Sequence, residues 1–373
     1  MNLPEAVLVA AGRRGRRIRD AAARADLLLA SGPRYAISHV RDERRAHRGE
    51  TAASDGVYAE LWAHAAERCG AEMTALGGGM LELRRGEART RVWRQWVSLD
   101  DNVTVRAALD RTLVHRALAG EGLPVPANLT VRVNDLEPGV RFLEQQGAVV
   151  VKPAAGTGGG RGATAGVRTP SQLRRAAVMA SRHGSELVVE RQAEGHVYRF
   201  LFLDGALLDV VRRLPPHLTG DGASDIRSLV LSENRRRLAA EGRDGLPLVT
   251  ANLDMVFTLE HAGLTLGSVL ESGRRVAVKT VTNQSGPADN ETVREAVAPE
   301  LVDEARRAAA AVGVRVAGVD LITPDLDTSL AEAGGVVIEV NAGPGLHHHY
   351  HVAHRDGATP VCVPILEKLL SGA

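Results

Sequence analysis

The chain has 373 residues, of which 44% are hydrophobic and 24% charged, and its formal net charge is +1. This length predicts roughly two or three domains, and the composition is typical of folded α/β proteins rather than disordered ones. The near-zero net charge gives no electrostatic reason to expect binding to nucleic acid or to a membrane.

The cysteines and the N-terminus indicate where the protein works. Cys69 and Cys362 lie far apart without metal-type spacing, which favours a reducing compartment. The first residues lack the pattern of a signal peptide, and no apolar run approaches the ~20 residues that span a bilayer. We therefore expect a soluble cytoplasmic protein.

Residues 1–105 differ from the rest of the chain and hold all three tryptophans. Apolar residues at helical spacing predict a helix over 55–70, which Gly70 ends. The alternating segment 80–97 predicts a β-hairpin that turns at Gly86.

From residue 104 onward, helices and strands alternate. The pattern predicts helices over 104–121, 170–183 and 299–313, and strands over 148–152, 186–190, 253–259, 274–282 and 314–323 and within 334–345. A β-hairpin is predicted over 199–213, because Asp204-Gly205 is a typical turn between two apolar runs. This mixture predicts an α+β (mixed α/β) architecture.

The stretch "VVVKPAAGTGGGRG" (149–162) runs an apolar strand into Lys152 and then into five glycines. Only three of the 46 basic residues are lysines, so a lysine here indicates a compact point charge that arginine would not supply. Backbone N–H groups of successive glycines can converge on an anion, which predicts a phosphate cradle. The candidate residues are Lys152, Gly158, Gly159, Gly160, Arg161 and Gly162. Neither the dinucleotide fingerprint nor the Walker pattern fits, and a plain hairpin loop is the alternative.

A second polar group lies on two predicted strands near the C-terminus. Glu339 and Asn341 are two residues apart, so both side chains point to one face of their strand. Asp320 lies on the preceding strand and is expected beside them. Two carboxylates and an amide oxygen suit Mg²⁺ that is also bound by substrate phosphates. The alternative is an exposed polar strand face.

Two further segments leave their roles open. "ELVVERQAEGHVYR" (186–199) has the pattern of a hinge, where adenine could contact Glu190 and ribose could contact His196; a structural ion pair for Glu190 is equally compatible. The histidine run 347–354 lacks the fixed spacing of a zinc site. The run could line the substrate site, with His349 as the main candidate. The alternative is that it forms a partly solvated loop.

Five segments resemble, in the same order, the ATP-grasp superfamily of carboxylate–amine ligases. They are "KPAAGTGGGRG" (152–162), "VVERQAEGHVYR" (188–199), "RRLPPHLTGDGASDIRSL" (212–229), "GVDLITPD" (318–325) and "IEVNAGPGLHHH" (338–349). The resemblance is greatest to the ATP-grasp part of cyanophycin synthetases and of fused glutathione synthetases, and it covers roughly residues 105–370. It implies an ATP-grasp fold whose two lobes clamp ATP.

The resemblance also implies roles for individual residues. Lys152 would contact the phosphates under the glycine loop, and Glu190 would mark the adenine hinge. Asp320, Glu339 and Asn341 would hold two Mg²⁺ ions, which Mn²⁺ could replace. The domains implied are 106–195, the linker helix and the lobe with the glycine flap, and 196–373, the lobe with the magnesium site. Residues 1–105 lie outside the resemblance and are expected to form an N-terminal domain, for which selection of a substrate is one hypothesis.

The sequence departs from the family pattern at several positions. Arg111 stands where the family has lysine, and it can still hold a phosphate. "NQSGPAD" (283–289) replaces a Ser-Thr-Gly-Gly stretch of the family, so the resemblance does not establish which substrate or phosphate contacts this segment makes. The C-terminal Mur-ligase-like half of cyanophycin synthetase is missing, and we do not expect cyanophycin synthesis itself. Substrate contacts are predicted for Arg213, Asn283, Ser285, Gly345 and His349.

The chemistry implied is activation of a carboxylate as an acylphosphate, followed by capture by an amine, with release of ADP and phosphate. Arg199, Arg212 and Lys279 are the candidates for neutralising the charge that develops. The partners expected are small carboxylates and amines, such as amino acids or short peptides, and the oligomeric state stays open, a homodimer included. A phosphotransferase that forms no amide, or a nucleotide-binding subunit of a larger synthetase, is the alternative.

Overall fold

The computed structural model describes residues 55–155, 160–239 and 246–372, together with the isolated residues 19, 21, 22 and 25. Within these residues, no helix is both long enough and apolar enough to span a bilayer. The described secondary structure is a set of antiparallel sheets covered by helices, which confirms the predicted α+β class.

The described helices are α1 (55–69), α2 (Asn102–Ala108), α3 (Arg111–Gly120), α4 (Glu137–Gln146), α5 (Pro170–Ala180), α6 (Ile226–Ala239), α7 (Leu253–His261), α8 (Pro299–Val312), α9 (Leu330–Ala333) and α10 (Cys362–Leu370). The described strands are β1 (Glu72–Gly77), β2 (Met80–Arg85), β3 (Ala88–Trp93), β4 (Asn128–Arg132), β5 (Val149–Pro153), β6 (Thr164–Val167), β7 (Glu186–Arg191), β8 (His196–Leu203), β9 (Ala206–Arg213), β10 (His217–Thr219), β11 (Arg275–Ala277), β12 (Asn290–Thr292), β13 (Val316–Thr323) and β14 (Val336–Ala342).

Residues 55–100 form what we call the N-terminal unit, in which α1 precedes the three-stranded sheet β1-β2-β3. The predicted helix and the hairpin at Gly86 are confirmed, and Gly86 takes the positive φ of +59° that its turn requires. The first strand of this sheet, β1, was not among the predicted elements.

The predicted helix 104–121 is two helices, α2 and α3. Asp110 interrupts it, because its backbone is extended and its carboxylate accepts hydrogen bonds from the N–H groups of Thr112 and Leu113. The break sets the start of α3, and therefore Arg111, beside the end of β5, where Asp110 also pairs with Ala155.

Residues 128–191 contain a four-stranded antiparallel sheet in the order β4-β7-β5-β6. Helices α4 and α5 pack on one face of it through Val140, Leu143, Leu173 and Ala177. The sheet places Lys152 on β5 next to β7, the strand that carries Glu190.

The segment predicted as a strand over 253–259 is helix α7, so that prediction is wrong. Alternating apolar residues suggested a strand, but the Asn252 side chain caps Met255 and starts a helix that is buried on several sides. The strand predicted over 274–282 is reduced to β11, which pairs with β10.

Residues 196–342 contain a five-stranded antiparallel sheet in the order β12-β9-β8-β13-β14. The hairpin predicted over 199–213 is confirmed as β8 and β9, with Asp204 and Gly205 at its turn. One face of this sheet packs under α8, where Phe200, Phe202 and Val319 join Leu301 and Ala305 in a core. We call the opposite face the polar face, because it carries most of the candidate site residues.

The N-terminal unit packs directly against this sheet. Trp62 and Leu83 share one core with Leu201, Val316 and Ile365. The Asp100 carboxylate also accepts hydrogen bonds from the backbone N–H groups that begin β13, with 2.6 Å from Arg315. The N-terminal unit is therefore part of the same packed structure as the candidate site.

We predict that Trp62→Ala strongly destabilises the protein. Trp62 is completely buried and donates its indole N–H to the carbonyl of Arg94 at 2.7 Å. Its removal should lower the free energy of unfolding by about 3–5 kcal/mol, measured by urea denaturation. The control is Trp93→Ala, since Trp93 is 43% exposed. Equal losses in the two variants would contradict the packing described.

Candidate functional site

Strand alternation collects the charged residues on the polar face. Asp320 lies opposite Arg199 on β8 and opposite Glu339 on β14. Asn341 lies opposite Gly318, two residues from Asp320. Side chains two residues apart on a strand share a face. The strand register therefore places Asp320 on the same face as Glu339 and Asn341, as the sequence predicts.

A buried ion pair joins Arg199 to Asp320. The guanidinium donates two parallel hydrogen bonds to the carboxylate, one of them 2.6 Å between Nη2 and Oδ2. Burial disfavours the charged form of Arg199, but the charge of Asp320 outweighs this and raises the pKa of Arg199. Asn341 Nδ2 lies 3.4 Å from Asp320 Oδ2, so the amide also orients the carboxylate.

Glu339 connects the two large sheets. Its Oε1 lies 3.5 Å from Nη2 of Arg111, and Arg111 donates from Nη1 to the carbonyl of Pro153 at 3.0 Å. Glu339 keeps 24% of its side chain exposed, whereas the Asp320 side chain is 6% exposed. Glu339 is thus the more accessible of the two carboxylates.

The residues present fit a divalent cation that shares its ligands with a substrate. Asp320, Glu339 and Asn341 offer hard oxygen donors on two adjacent strands, the chemistry that Mg²⁺ prefers. In the part of the chain that the structure describes, no cluster of three or more His, Cys, Asp or Glu could hold a metal ion alone. Phosphate oxygens would have to supply other ligands.

Lys152 and Glu190 form an ion pair, with Nζ and Oε2 2.5 Å apart. Glu190 is almost fully buried, and His115 approaches its other oxygen at 3.8 Å. Of the two roles predicted for Glu190, an adenine contact and a structural ion pair, the structure shows the ion pair. His196, the candidate for ribose, is exposed at the start of β8, with its ring near Tyr198.

Only the end of the glycine loop can be described. Gly158 and Gly159 lie outside the described residues. A Cβ on Gly160 would lie 3.1 Å from Val281 and 3.4 Å from Nδ2 of Asn283. Gly160 thus lies against Val281 and Asn283, whereas a Cβ on Gly162, which follows Arg161, would lie 2.7 Å from the ring of His183.

Ser285 is held in place by backbone groups. Its hydroxyl donates toward the carbonyls of Leu214, at 2.5 Å, and Thr282, at 2.8 Å. It is buried in these contacts. The structure gives Ser285 a supporting position at the edge of the site.

The two neighbouring arginines of β9 point to opposite faces. Arg213 shares the polar face with Arg199, whereas Arg212 lies on the other face and pairs with Glu291. The structure therefore does not bring Arg212 to Asp320 and Glu339. Strand alternation explains this, since adjacent residues cannot share a face.

Arg213 is a buried cation without a carboxylate partner among the described residues. Its Nη2 donates to the carbonyl of Thr282 at 3.1 Å, and its Nε has no hydrogen-bond partner there. Burial and the charge of Arg199 lower the pKa of Arg213 to about 10, so it remains charged at neutral pH. An unpaired buried charge is costly, which favours an anionic ligand at this position.

Lys279 is completely enclosed. Its Nζ donates to Oε1 of Gln284 at 3.0 Å and lies 3.4 Å from the carbonyl of Thr250. Burial lowers its pKa to about 8, although the nearby carboxylate of Asp254 opposes the shift. Lys279 lies behind the segment 280–285 and contacts none of the polar-face carboxylates in these hydrogen bonds.

The histidine run forms a short 3₁₀ turn, Leu346–His349, over the polar face. His347 Nδ1 is 2.9 Å from the hydroxyl of Tyr58. His349 is fully buried, and its Nδ1 is 2.7 Å from Oδ2 of Asp209. Gly345 precedes this turn and leaves room for the rings of His347 and His348.

Sequence reasoning missed the contribution of the N-terminal unit. Gly343 has a positive φ of +59°, and a Cβ there would lie 2.5 Å from the ring of Trp96. Trp96 and Tyr58 therefore lie against the segment that follows Asn341. No local sequence pattern predicts these contacts, because they join residues about 250 to 290 positions apart in the chain.

Comparison with known proteins gives the following relatives. No protein-family model matches the chain. It is 33% identical to cyanophycin synthetase of Trichormus variabilis over 250 residues, which cover 66% of this chain and 27% of that protein. It is 29% identical to a bifunctional glutathione biosynthesis protein of Streptococcus mutans over 278 residues, which cover 73% of this chain and 36% of that protein.

A solved structure of a bifunctional glutathione synthetase from Pasteurella multocida matches 82% of this chain and 42% of its own, with a TM-score of 0.52 and 23% identity. The chain has the ATP-grasp fold. The predicted resemblance to cyanophycin synthetases and fused glutathione synthetases is thereby confirmed. This ATP-grasp chain spans about a third of the length of those curated relatives, so their similarity covers only part of each of them.

We predict that Lys279→Met removes a pH dependence of stability. The pKa of Lys279 is about 8 in the folded protein and ~10.4 in an unfolded chain, so only the unfolded chain keeps the proton between these values. The wild-type free energy of unfolding should therefore rise by roughly 2 kcal/mol from pH 7.5 to 10, relative to the variant.

Urea denaturation at pH 7.5 and pH 10 measures the effect. The control is Lys368→Met, because Lys368 is 38% exposed and pairs with Asp204 at the surface. An identical pH response of wild type and Lys279→Met would show that Lys279 is not buried as described.

Proposed function

We propose that the protein is an ATP-dependent ligase that activates a carboxylate as an acylphosphate and joins it to an amine, releasing ADP and phosphate. One observation carries this proposal: Asp320, Glu339, Asn341, Arg199 and Arg213 share one face of one sheet. Arg111 contacts both this face and β5 of the other sheet. A phosphate group between the sheets would lie among oxygen donors for a metal and three guanidinium groups.

The charges suit a reaction between two anions. A carboxylate that attacks a phosphate must approach against electrostatic repulsion, so preorganised cations are the main source of catalysis. In the described part of the chain, Arg213 offers a buried guanidinium that no carboxylate pairs with, and Asp320 orients Arg199 on the same face. A Mg²⁺ ion at Asp320, Glu339 and Asn341 would shield the negative charge of the phosphates.

The ion pair of Lys152 and Glu190 supports a nucleotide site in the other sheet. Lys152 stands at the end of β5, next to the glycine loop, and Glu190 fixes the direction of its side chain. Because Lys152 keeps part of its surface exposed, its ammonium is available to phosphates near the loop. Glu190 and His196 remain our candidates for the adenosine part.

The relatives support the same class of reaction. Proteins named as synthetases of cyanophycin and glutathione match most of this chain. We infer that the substrates are amino acids or short peptides, that the metal is Mg²⁺ or Mn²⁺, and that the enzyme works in the cytoplasm. We further propose that residues 106–195 and 196–373 act as the two lobes and that residues 1–105 select a substrate.

An ADP-release screen of amino-acid pairs with ATP and Mg²⁺ tests the proposal, with mass spectrometry of any product. An amine-dependent condensed product supports the ligase. A phosphorylated product that forms equally well without an amine would instead indicate a phosphotransferase. The absence of ADP release with every pair would count against an active enzyme.

We predict that Glu339→Ala lowers ADP release at least 100-fold while the protein stays folded, because the accessible carboxylate of the metal site is lost. The matched control is Glu291→Ala, which removes an exposed carboxylate on the opposite face of the sheet. Circular dichroism checks the fold of both variants. Wild-type rates in Glu339→Ala would refute the assignment of the metal site.

We predict that Tyr58→Phe changes substrate binding and leaves ATP binding intact. The variant loses the hydrogen bond between the hydroxyl and His347, a contact of the N-terminal unit with the histidine turn. The KM for one amino-acid substrate should rise about 2- to 10-fold, with the KM for ATP unchanged. Tyr350→Phe, which removes a hydrogen bond to Cys362, is the control. Unchanged KM values would argue against a selecting role for this unit.

A further inference from the structure

Amide formation needs a proton acceptor, a requirement that rests on the proposed ligase function. An α-amine has a pKa of about 7.7–8.0 and is largely protonated at neutral pH. Only its lone pair can attack a carbonyl carbon, and the nitrogen must release a proton as the amide forms. A positioned base beside the carbonyl would therefore accelerate the second step.

The carboxylates of the described site already have partners. Both oxygens of Asp320 are bound by Arg199, Glu190 pairs with Lys152, and Glu339 lies near Arg111 in the metal site. None of these groups offers an uncommitted base close to Arg213. Among the described residues, the histidine turn over the polar face offers one.

His349 has the geometry of an oriented base. Its Nδ1 is 2.7 Å from Oδ2 of Asp209, and both side chains are fully buried. Because a carboxylate accepts, Nδ1 is the protonated nitrogen and Nε2 carries the lone pair. Nε2 has no hydrogen-bond partner among the described residues.

The pair lies on the same face as Arg199 and Arg213, and the charges of both arginines act on His349. Asp209 and Arg213 are four residues apart on β9, and both point to that face. Oδ1 of Asp209 and Nε of Arg213 are also buried without partners among the described residues. Leaving a buried polar atom unsatisfied costs about 1–3 kcal/mol, so each of these atoms favours a polar partner on this face.

We propose that Nε2 of His349 accepts the proton of the amine substrate, and that Asp209 is the positioning residue that holds the ring. The nitrogen lone pair forms the new N–C bond, and the C–O bond to phosphate breaks with its electron pair on the leaving phosphate. The attacking amine is the unprotonated form, and the proton that its nitrogen loses on forming the amide moves to Nε2. Solvent takes it from the imidazolium after the product leaves.

The charged surroundings keep this histidine neutral before the reaction. Burial lowers the pKa of His349, and the hydrogen bond to Asp209 opposes the shift only in part. The titratable and charged groups that act on it are Asp209, Arg199, Arg213, His347 and His348. The two arginines disfavour the imidazolium, so the base form is present at neutral pH.

Hydroxylamine separates the two steps of the reaction. It is largely unprotonated at neutral pH and captures an acylphosphate as a hydroxamate without help from a base. The variants are His349→Gln and Asp209→Asn, assayed with the amino-acid pair that gives most ADP in the screen. We expect amide formation to fall roughly 100-fold or more in His349→Gln, with hydroxamate formation within about twofold of wild type.

Asp209→Asn should also lose amide formation and retain hydroxamate formation, because an amide donor at position 209 would favour the wrong tautomer of His349. The wild-type kcat/KM for the amine should fall at acidic pH as His349 gains a proton, below its usual range because burial lowers its pKa. This additional acidic fall should be absent in His349→Gln, in which only the ionisation of the amine itself still shapes the profile. The control is His64→Gln, an exposed histidine of the N-terminal unit.

Two results would overturn the assignment. Unchanged amide formation in His349→Gln would show that no proton passes through this ring. Equal losses of amide and hydroxamate would show that His349 supports the fold or the first step. Failure of wild type to release ADP with any pair is a different result, because it removes the ligase function itself.

Discussion

The buried pair of Arg199 and Asp320 is the interaction on which the site depends. Two charges without water are stable only when each satisfies the other, and here the two parallel hydrogen bonds do so. The pair fixes the cross-strand register of the central strands, and through Asn341 it fixes the third donor of the proposed metal site. Removing either partner would leave a charge buried alone.

The polar face can exist because other parts of the chain cover it. Strand alternation gives the sheet one apolar face, which α8 covers, and one charged face. The histidine turn and the N-terminal unit cover the charged face, with Tyr58 against His347 and Trp96 against Gly343. Arg199, Arg213 and Asp320 are buried on this face, which strengthens the electrostatic interactions among them.

The sequence predicts the parts of the site that depend on local geometry. Asp320, Glu339 and Asn341 follow from the period of two in a strand, and the hairpin at Asp204 follows from its turn residues. The same rule could have separated Arg212 from Arg213, because adjacent strand residues point to opposite faces.

Other features depend on packing between distant segments and have no local signal. The contact of Tyr58 with His347 and the pairing of Asp209 with His349 become visible only in the folded chain. Helix α7 has apolar residues at every second position, Leu253, Met255, Phe257 and Leu259, which is the period of a strand, and the helix accommodates them because it is buried on several sides.

A crystal structure with Mg²⁺ and a non-hydrolysable ATP analogue tests the central claim most directly. The account predicts that the terminal phosphate lies between Lys152 and Glu339, with Mg²⁺ bound by oxygens of Asp320, Glu339 and Asn341. A nucleotide bound elsewhere, with the polar face of the five-stranded sheet unchanged, would contradict it.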